Sequence, residues 1–228
     1  PQNIRYKRTV IALLVLEAIA GLFVIWKSLS IQGLLVFTIV VSTSILIAIS
    51  TKFRNRIFTT TVLLSSFLIG GIFSLGFYGK GPLGQYLYRE SFVHRSNFWQ
   101  AGIDMLKANP IFGIGIDQFG DYYREYRSSY AVQLRGPAVT TDSAHNIPID
   151  IGAGGGFIVL LLFLILQVMT FYCGVQTLRK LREIDWITIG IFSLWIGYSA
   201  QSLISINQIG VSIWGWIFSG LVISKYNS

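Results

Sequence analysis

The sequence predicts an all-α membrane protein, a polytopic bundle of about six transmembrane helices with one large helical loop outside the membrane. Hydrophobic residues make up 53% of the 228 residues and charged residues only 12%, which is about half the charged share of a soluble domain. Six apolar stretches reach or approach the roughly 20 residues that cross a bilayer. Short basic clusters separate several of them. The composition argues against soluble, disordered and collagen-like classes, and a single cysteine, Cys173, allows no internal disulfide.

The predicted spans form two groups of three, one before and one after the large loop. Hydropathy places them near 9–26, 31–51, 57–77, 151–172, 186–204 and 209–224. Glu17 is the only acidic residue well inside a span. Because an acid in contact with lipid is costly, we expect the face of the helix that carries Glu17 to turn toward the bundle.

Basic residues predict the side of the membrane on which each connection lies. Clusters precede the first span, separate the second from the third and the fourth from the fifth, and follow the sixth. All lie on one side if the spans alternate, and the positive-inside rule assigns that side to the cytoplasm. We therefore expect both ends in the cytoplasm, loop 78–146 outside, and lipid rather than nucleic acid as the partner. The basic residues are Arg5, Lys7, Arg8, Lys52, Arg54, Arg56, Arg179, Lys180, Arg182 and Lys225.

Loop 78–146 is where we expect the function to reside. It holds both histidines and six of the ten acidic residues, and a loop of this length without internal structure is unusual. Helical spacing predicts one helix over 90–109, ended by Pro110, and a second over 116–132. A stripe on the second fits a helix on the membrane surface or against the bundle, and it also fits a sugar-stacking platform. The stripe is Ile116, Phe119, Tyr123, Tyr126 and Tyr130.

Four residues of this loop are candidates for chemistry. Arg95 and Trp99 are four apart and therefore share a face of the first loop helix. Arg95 is either a phosphate-binding residue or a lipid-headgroup contact. His145 and Asn146 stand directly before the fourth span, where a histidine acts either as a base or as a helix cap. The acid at position 142 or 150 could orient its ring.

Two groups of glycines lie beside the candidate residues. Gly113 and Gly115 lie between the two loop helices and permit a tight turn or a close backbone approach, although Gly-x-Gly alone is a weak sign of phosphate binding. A second group at the start of the fourth span suggests close helix packing or an irregular entry into the membrane. This group is Gly152, Gly154, Gly155 and Gly156.

Taken together, these residues resemble the O-antigen ligase and polymerase family. The family pattern is an Arg, a Trp four residues later, Pro-x-x-Gly-x-Gly and then His-Asn entering a span; Arg95, Trp99, segment 110–115 and segment 145–146 match it in order. The resemblance covers the second to the sixth span. Family members usually have ten or more spans, so a chain that starts at Pro1 resembles the C-terminal portion of one. Ligases often carry an arginine where this chain has Gln32, which favours a polymerase or another branch.

The resemblance implies a metal-independent, cofactor-free glycosyltransferase at the outer face of the bacterial inner membrane. Its donor would be a glycan on undecaprenyl pyrophosphate, and its acceptor a hydroxyl of the lipid A core or of another lipid-linked glycan. Arg95 would stabilise the pyrophosphate leaving group, because a guanidinium donates two parallel hydrogen bonds to phosphate oxygens. His145 would take the proton of the acceptor hydroxyl. The substrate-binding residues would be Trp99, Asn146, Gly113 and Gly115.

Two alternatives follow from the same sequence. A non-enzymatic transporter or flippase-like subunit would also have glycines in its spans, but its substrate groups should lie near the membrane midplane, whereas the titratable groups here gather in the outer loop. A metal-dependent transferase would need clustered acids, and no Asp-x-Asp pattern is present. Its ligands would then come from Asp104, Asp117, Asp121 and Asp142.

Overall fold

The structure, a computed structural model, describes residues 2–28, 31–53, 81, 85 and 90–227. Within these ranges the chain forms eight helices and no strand, which confirms the predicted all-α fold. The helices are α1 (Gln2–Ser28), α2 (Ile31–Phe53), α3 (Glu90–Ala108), α4 (Phe119–Tyr126), α5 (Ser129–Arg135), α6 (Ile147–Lys180), α7 (Trp186–Ser202) and α8 (Ile209–Asn227).

Five of the six predicted spans coincide with helices, namely α1, α2, α6, α7 and α8. Among the described residues, three segments are long and apolar enough to cross a membrane: Gln32–Lys52, Ile147–Lys180 and Ile209–Asn227. The predicted span at 57–77 lies outside the described residues, as does most of 78–89. The chain is thus a helical membrane protein, whereas the count of six spans stays a prediction.

Helix α6 packs against α3 at its beginning and against α8 further along. Near its beginning, Ala153 joins an apolar cluster with Phe98 and Met105 of α3 and with Phe119 and Tyr123 of α4. Near its other end, a second cluster contains residues of α6, α7 and α8. Its members are Cys173, Phe192, Trp195 and Val222. The loop helices are therefore anchored to the start of α6, well separated from the cluster that joins the spans.

The first loop helix is confirmed: α3 ends at Ala108, directly before Asn109 and Pro110. The second is wrong as a single helix over 116–132, because the chain breaks at Arg127 and forms α4 and α5. At the break, the Ser128 hydroxyl accepts a hydrogen bond from the amide of Ala131 and caps a new helix. The Arg127 guanidinium donates to the carbonyls of Val139 and Pro137, at 2.8 and 3.0 Å. These local bonds outweigh the continuous helical pattern.

The aromatic stripe is divided by this break. Phe119 and Tyr123 are buried against α3, where the rings of Tyr123 and Phe98 meet edge to face with centroids 5.6 Å apart. Ile116 and Tyr130, at the two ends of the stripe, are exposed. The middle of the stripe thus packs against the bundle.

The expectation for Glu17 is wrong in the described structure. Its side chain is exposed, as are Leu16, Ile19 and their neighbours around α1. The physical reason is that α1 makes no extensive contact with any other described helix, so the face that carries Glu17 packs against none of them.

Helix α6 is broken at Gly156, whose φ of 77° and ψ of −178° belong to a region open almost only to glycine. In an unbroken helix the amide of Phe157 would bond to the carbonyl of Ala153. Here the Phe157 amide donates to Pro110 at 2.7 Å, and the Ala153 carbonyl accepts from Ile114 at 2.8 Å. The segment that follows α3 thus supplies the partners that α6 loses at its break.

The two glycine groups of the sequence meet at this junction. Gly115 donates its amide to the carbonyl of Gly154 at 3.0 Å. A Cβ on Gly113 would lie 2.5 Å from the carbonyl oxygen of Ala153, and one on Gly156 would collide with the backbone of Ile111. The predicted close approach and irregular entry are therefore one feature, a loop packed backbone to backbone against a broken helix.

We expect Gly156→Ala to destabilise the protein, because alanine resists this backbone conformation at a cost of roughly 1–3 kcal/mol, and its Cβ would also strike Ile111. The matched control is Gly220→Ala in α8, where a Cβ meets nothing within 4 Å; it should be neutral or stabilising by up to about 1 kcal/mol. Thermal unfolding of the detergent-purified protein, followed by tryptophan fluorescence, measures both. Equal midpoints for the two variants would contradict the packing described.

The predicted topology can be tested with single cysteines in a Cys173→Ala background. Gln133 on α5 and Glu183 between α6 and α7 are both exposed. A membrane-impermeant maleimide should label Gln133→Cys on intact spheroplasts and Glu183→Cys only after permeabilisation, since the basic cluster near Glu183 is expected in the cytoplasm. The opposite pattern would invert the topology.

Candidate active site

The site is built on the face of α3 that carries Arg95 and Trp99, which are one helical turn apart as predicted. Arg95 is half-buried, and Trp99 packs against the apolar cluster that contains Phe98 and Ala153. His94, the other histidine of the chain, is buried. The α3 helix packs along the start of α6, so Arg95 is held relative to the segment that leads into that helix.

Segment 141–146 is folded into a tight turn by its own polar groups. The Thr141 hydroxyl donates to the carbonyl of Ser143 at 2.9 Å, and the Ser143 hydroxyl accepts from the amide of His145 at 3.1 Å. His145 takes a left-handed conformation with φ of 55°. A non-glycine residue there is held by its surroundings at some cost in strain, a situation concentrated at functional sites.

Two side chains at the start of α6, one in its first turn and one at its N-cap, fix this turn in place. Asp150 accepts a hydrogen bond from the amide of Ala144 at 2.6 Å, so it orients the backbone before His145. Asn146 caps α6, because its side-chain oxygen accepts from the amide of Ile149 at 3.1 Å. Its side-chain nitrogen donates to the carbonyl of Leu203 at 2.9 Å. Asn146 thus ties the turn to the connection between α7 and α8.

The half-buried imidazole of His145 stacks on Phe98 of α3, with ring centroids 5.7 Å apart and planes inclined by 26°. Burial lowers the pKa of His145 below its ordinary value, and the positive charge of Arg95 lowers it further. Arg95 and His145, 50 positions apart in the sequence, are therefore electrostatic neighbours. At neutral pH the ring is the uncharged form, which can accept a proton.

Several buried polar atoms of α3 and α6 have no hydrogen-bond partner among the described residues. They are the side-chain nitrogens of Asn97 and Trp99 and the second carboxylate oxygen of Asp150. Buried polar atoms in proteins normally pair with protein, water or ligand. Asn97 was not a candidate from the sequence, because nothing in the spacing of one asparagine on an amphipathic helix distinguishes it from a surface residue.

The glycines at 113 and 115 are placed differently from a phosphate-binding loop. The amides of Gly113, Ile114 and Gly115 already donate to the carbonyls of Asn109, Ala153 and Gly154. The packing of the loop on α6 accounts for both glycines without a ligand. Their role in binding substrate stays a prediction.

A separate polar cleft of about 370 Å³ lies between α4 and segment 140–142. Its lining residues are Asp117, Gly120, Asp121, Arg124, Thr140 and Asp142, so neither Arg95 nor His145 contributes to it. In the described part of the chain, no group of three His, Cys, Asp or Glu side chains is arranged to hold an ion. Asp104 instead pairs with Gln100 and Lys107 on its own helix.

A comparison with protein families matches residues 4–164 to the O-antigen ligase family. The chain belongs to this family. The matched region contains every candidate residue named above, from Arg95 to Asn146. It begins earlier than the second span, where the sequence resemblance started, and it ends within α6, so α7 and α8 lie beyond it. No curated protein and no solved structure matches the chain.

Proposed function

We propose that this protein transfers a glycan from a polyprenyl pyrophosphate to a sugar hydroxyl at the outer face of the bacterial inner membrane. The observation that carries the proposal is the position of the half-buried His145 on Phe98 of α3 and near Arg95, where burial and then the Arg95 charge lower the pKa of His145. Membership of the O-antigen ligase family supports a membrane-bound glycan ligase or polymerase. The donor in the proposal is glycan-linked undecaprenyl pyrophosphate, and the acceptor belongs to the lipid A core or to another lipid-linked glycan. No metal or cofactor takes part.

In the proposed reaction, the acceptor hydroxyl attacks the anomeric carbon of the donor sugar while His145 takes the hydroxyl proton. The new bond joins the acceptor oxygen to the anomeric carbon, and the bond from that carbon to the pyrophosphate oxygen breaks. A neutral imidazole suits this step because a base must be unprotonated to act. The protonated ring then stands near the Arg95 charge, which favours release of the proton and restores the base.

Arg95 acts on the leaving group. Negative charge develops on the pyrophosphate oxygen as the sugar departs, and a guanidinium can stabilise it with two parallel hydrogen bonds. The Trp99 indole N–H, buried without a hydrogen-bond partner among the described residues, would donate to a substrate oxygen on the same face. Asn146 would support the site indirectly, since both ends of its amide already hold the His145 turn.

The position of the site does not support the transporter or flippase-like alternative. Its groups should line a path near the membrane midplane. The candidate residues instead gather on α3 and in the turn before α6, and the family match concerns a ligase.

Replacing either residue in the full-length protein should reduce glycan transfer strongly. We expect His145→Ala to lose about 10²–10⁴-fold in rate, as for removal of a general base. His145→Asn is the sharper variant, because asparagine tolerates the left-handed conformation but cannot act as this base; it should be equally impaired with unchanged thermal stability. Arg95→Lys should recover only part of the activity lost in Arg95→Ala, since lysine lacks the bidentate fork. The assay follows transfer from a lipid-linked glycan.

Lys107→Ala is the matched control for the loss of a positive charge on α3. Lys107 is exposed and paired only with Asp104 at 3.1 Å, and such surface pairs contribute little; this variant should keep full activity. Near-normal transfer by His145→Asn would show that His145 shapes the turn and is not the base. Inhibition by a chelator, reversed by Mg²⁺ or Mn²⁺, would point to a metal-dependent reaction instead.

The pH dependence of kcat/KM should show one acidic limb with a midpoint below about 6.5, the ordinary pKa of histidine. The sign follows from the lowered pKa of His145: protonation removes the base, so activity rises as pH increases through that pKa and is full at neutral pH. In Arg95→Gln the limb of the residual activity should move to higher pH, because one cause of the lowered pKa is gone. Part of the shift should persist, since burial is the larger cause. If the midpoint of the acidic limb is the same in Arg95→Gln as in the unmodified protein, Arg95 does not lower the pKa of His145.

A further inference from the structure

Residues 110–116, here called the apex loop, present exposed apolar side chains between α3 and α4. Phe112 is 83% exposed, Ile116 81% and Ile111 57%. The loop contains no charged residue, and Asp117 directly after it is exposed. Exposed apolar groups clustered on one loop mark a contact with membrane or protein.

The length of α6 beyond its break indicates where the apex loop lies relative to a membrane. The loop is bonded to the break in α6, and the helix beyond the break, residues 157–180, is about 36 Å long at about 1.5 Å per residue. The hydrocarbon core measures about 30 Å, so this segment is long enough to cross it alone, and a crossing by this segment puts the break near one surface. The exposed apolar residues of α6 begin with Phe157 and Ile158, next to the loop, because the Phe157 amide bonds to Pro110.

The middle of the apex loop, residues 113–115, has the paired backbone that a position beside lipid requires. Irregular backbone at membrane depth must have its polar groups paired, since hydrocarbon offers no partners. The amides of Gly113, Ile114 and Gly115 all donate to backbone carbonyls, at 2.9, 2.8 and 3.0 Å. Pro110 has no amide hydrogen to satisfy.

We propose that the apex loop inserts into the bilayer, with the side chains of Phe112 and Ile116 among the acyl chains of the adjacent leaflet. The occupant of this surface is lipid hydrocarbon, because the patch continues the apolar exposed surface of α6. The insertion sets the depth of the broken part of α6, and with it the depth of the turn that carries His145. It does not depend on which side of the membrane the loop occupies, nor on the proposed reaction.

Spin labels on single cysteines test this in the full-length, otherwise cysteine-free protein reconstituted in phosphatidylcholine vesicles. Labels at Phe112→Cys and Ile116→Cys should collide more with oxygen, which concentrates in hydrocarbon, than with a water-soluble nickel chelate. Val168→Cys on the exposed face of α6 is the lipid reference, and Gln133→Cys on α5 is the water reference. All four positions are exposed, so the substitutions should not disturb folding.

The proposal stands if positions 112 and 116 share the oxygen preference of position 168. Two outcomes overturn it. A nickel preference like that of position 133 would place the loop in water. Exclusion of both reagents would show that protein covers the patch, either a second copy or another segment of the full-length chain.

Discussion

Three backbone hydrogen bonds between segment 110–115 and the broken part of α6 hold α3 and the loop that follows it against α6. At Gly156 the helix loses its own pairing, and Pro110, Ile114 and Gly115 supply the missing partners. Leaving one such buried group unpaired costs about 1–3 kcal/mol, and more beside hydrocarbon, where water cannot replace the partner. The bonds require a very close approach of two backbones. That requirement explains why glycines stand on both sides of the junction.

The position of the candidate site follows from this junction. Helix α3 ends directly before the bonded segment, and the N-terminal part of α6 lies directly before the break, so the two are fixed against each other. Phe98 and Met105 of α3 then pack with Ala153 of α6 in one apolar cluster. Arg95 sits near one end of α3, and His145 lies just before α6. A third connection, from Asn146 to Leu203, extends the same framework to the spans that follow.

The contacts that position His145 also set its chemistry. Stacking on Phe98 removes part of the ring from water, and Arg95 adds a permanent positive charge nearby. Both effects disfavour the imidazolium and leave a neutral ring at physiological pH. The left-handed backbone of His145 is maintained by hydrogen bonds that the amides of Ala144 and His145 donate to the side chains of Asp150 and Ser143. The proposed role of His145 as a general base fits a residue that is held in one position and has its pKa lowered by its neighbours.

The sequence by itself determined the helical membrane class, the helix that ends before Pro110 and the family, because apolar runs, helical spacing and short motifs are local properties of the chain. It also identified Arg95 and His145 by residue type and order. It could not show that Asp150 holds the backbone before His145 instead of the ring, that Asn146 reaches Leu203, or that the aromatic stripe breaks at Arg127. Each of these depends on partners far away in sequence or on competing local bonds. The role of the glycines also became clear only from the tertiary structure. Gly113 and Gly156 lie at one junction because the chain folds back and pairs the backbone of segment 110–115 with that of α6.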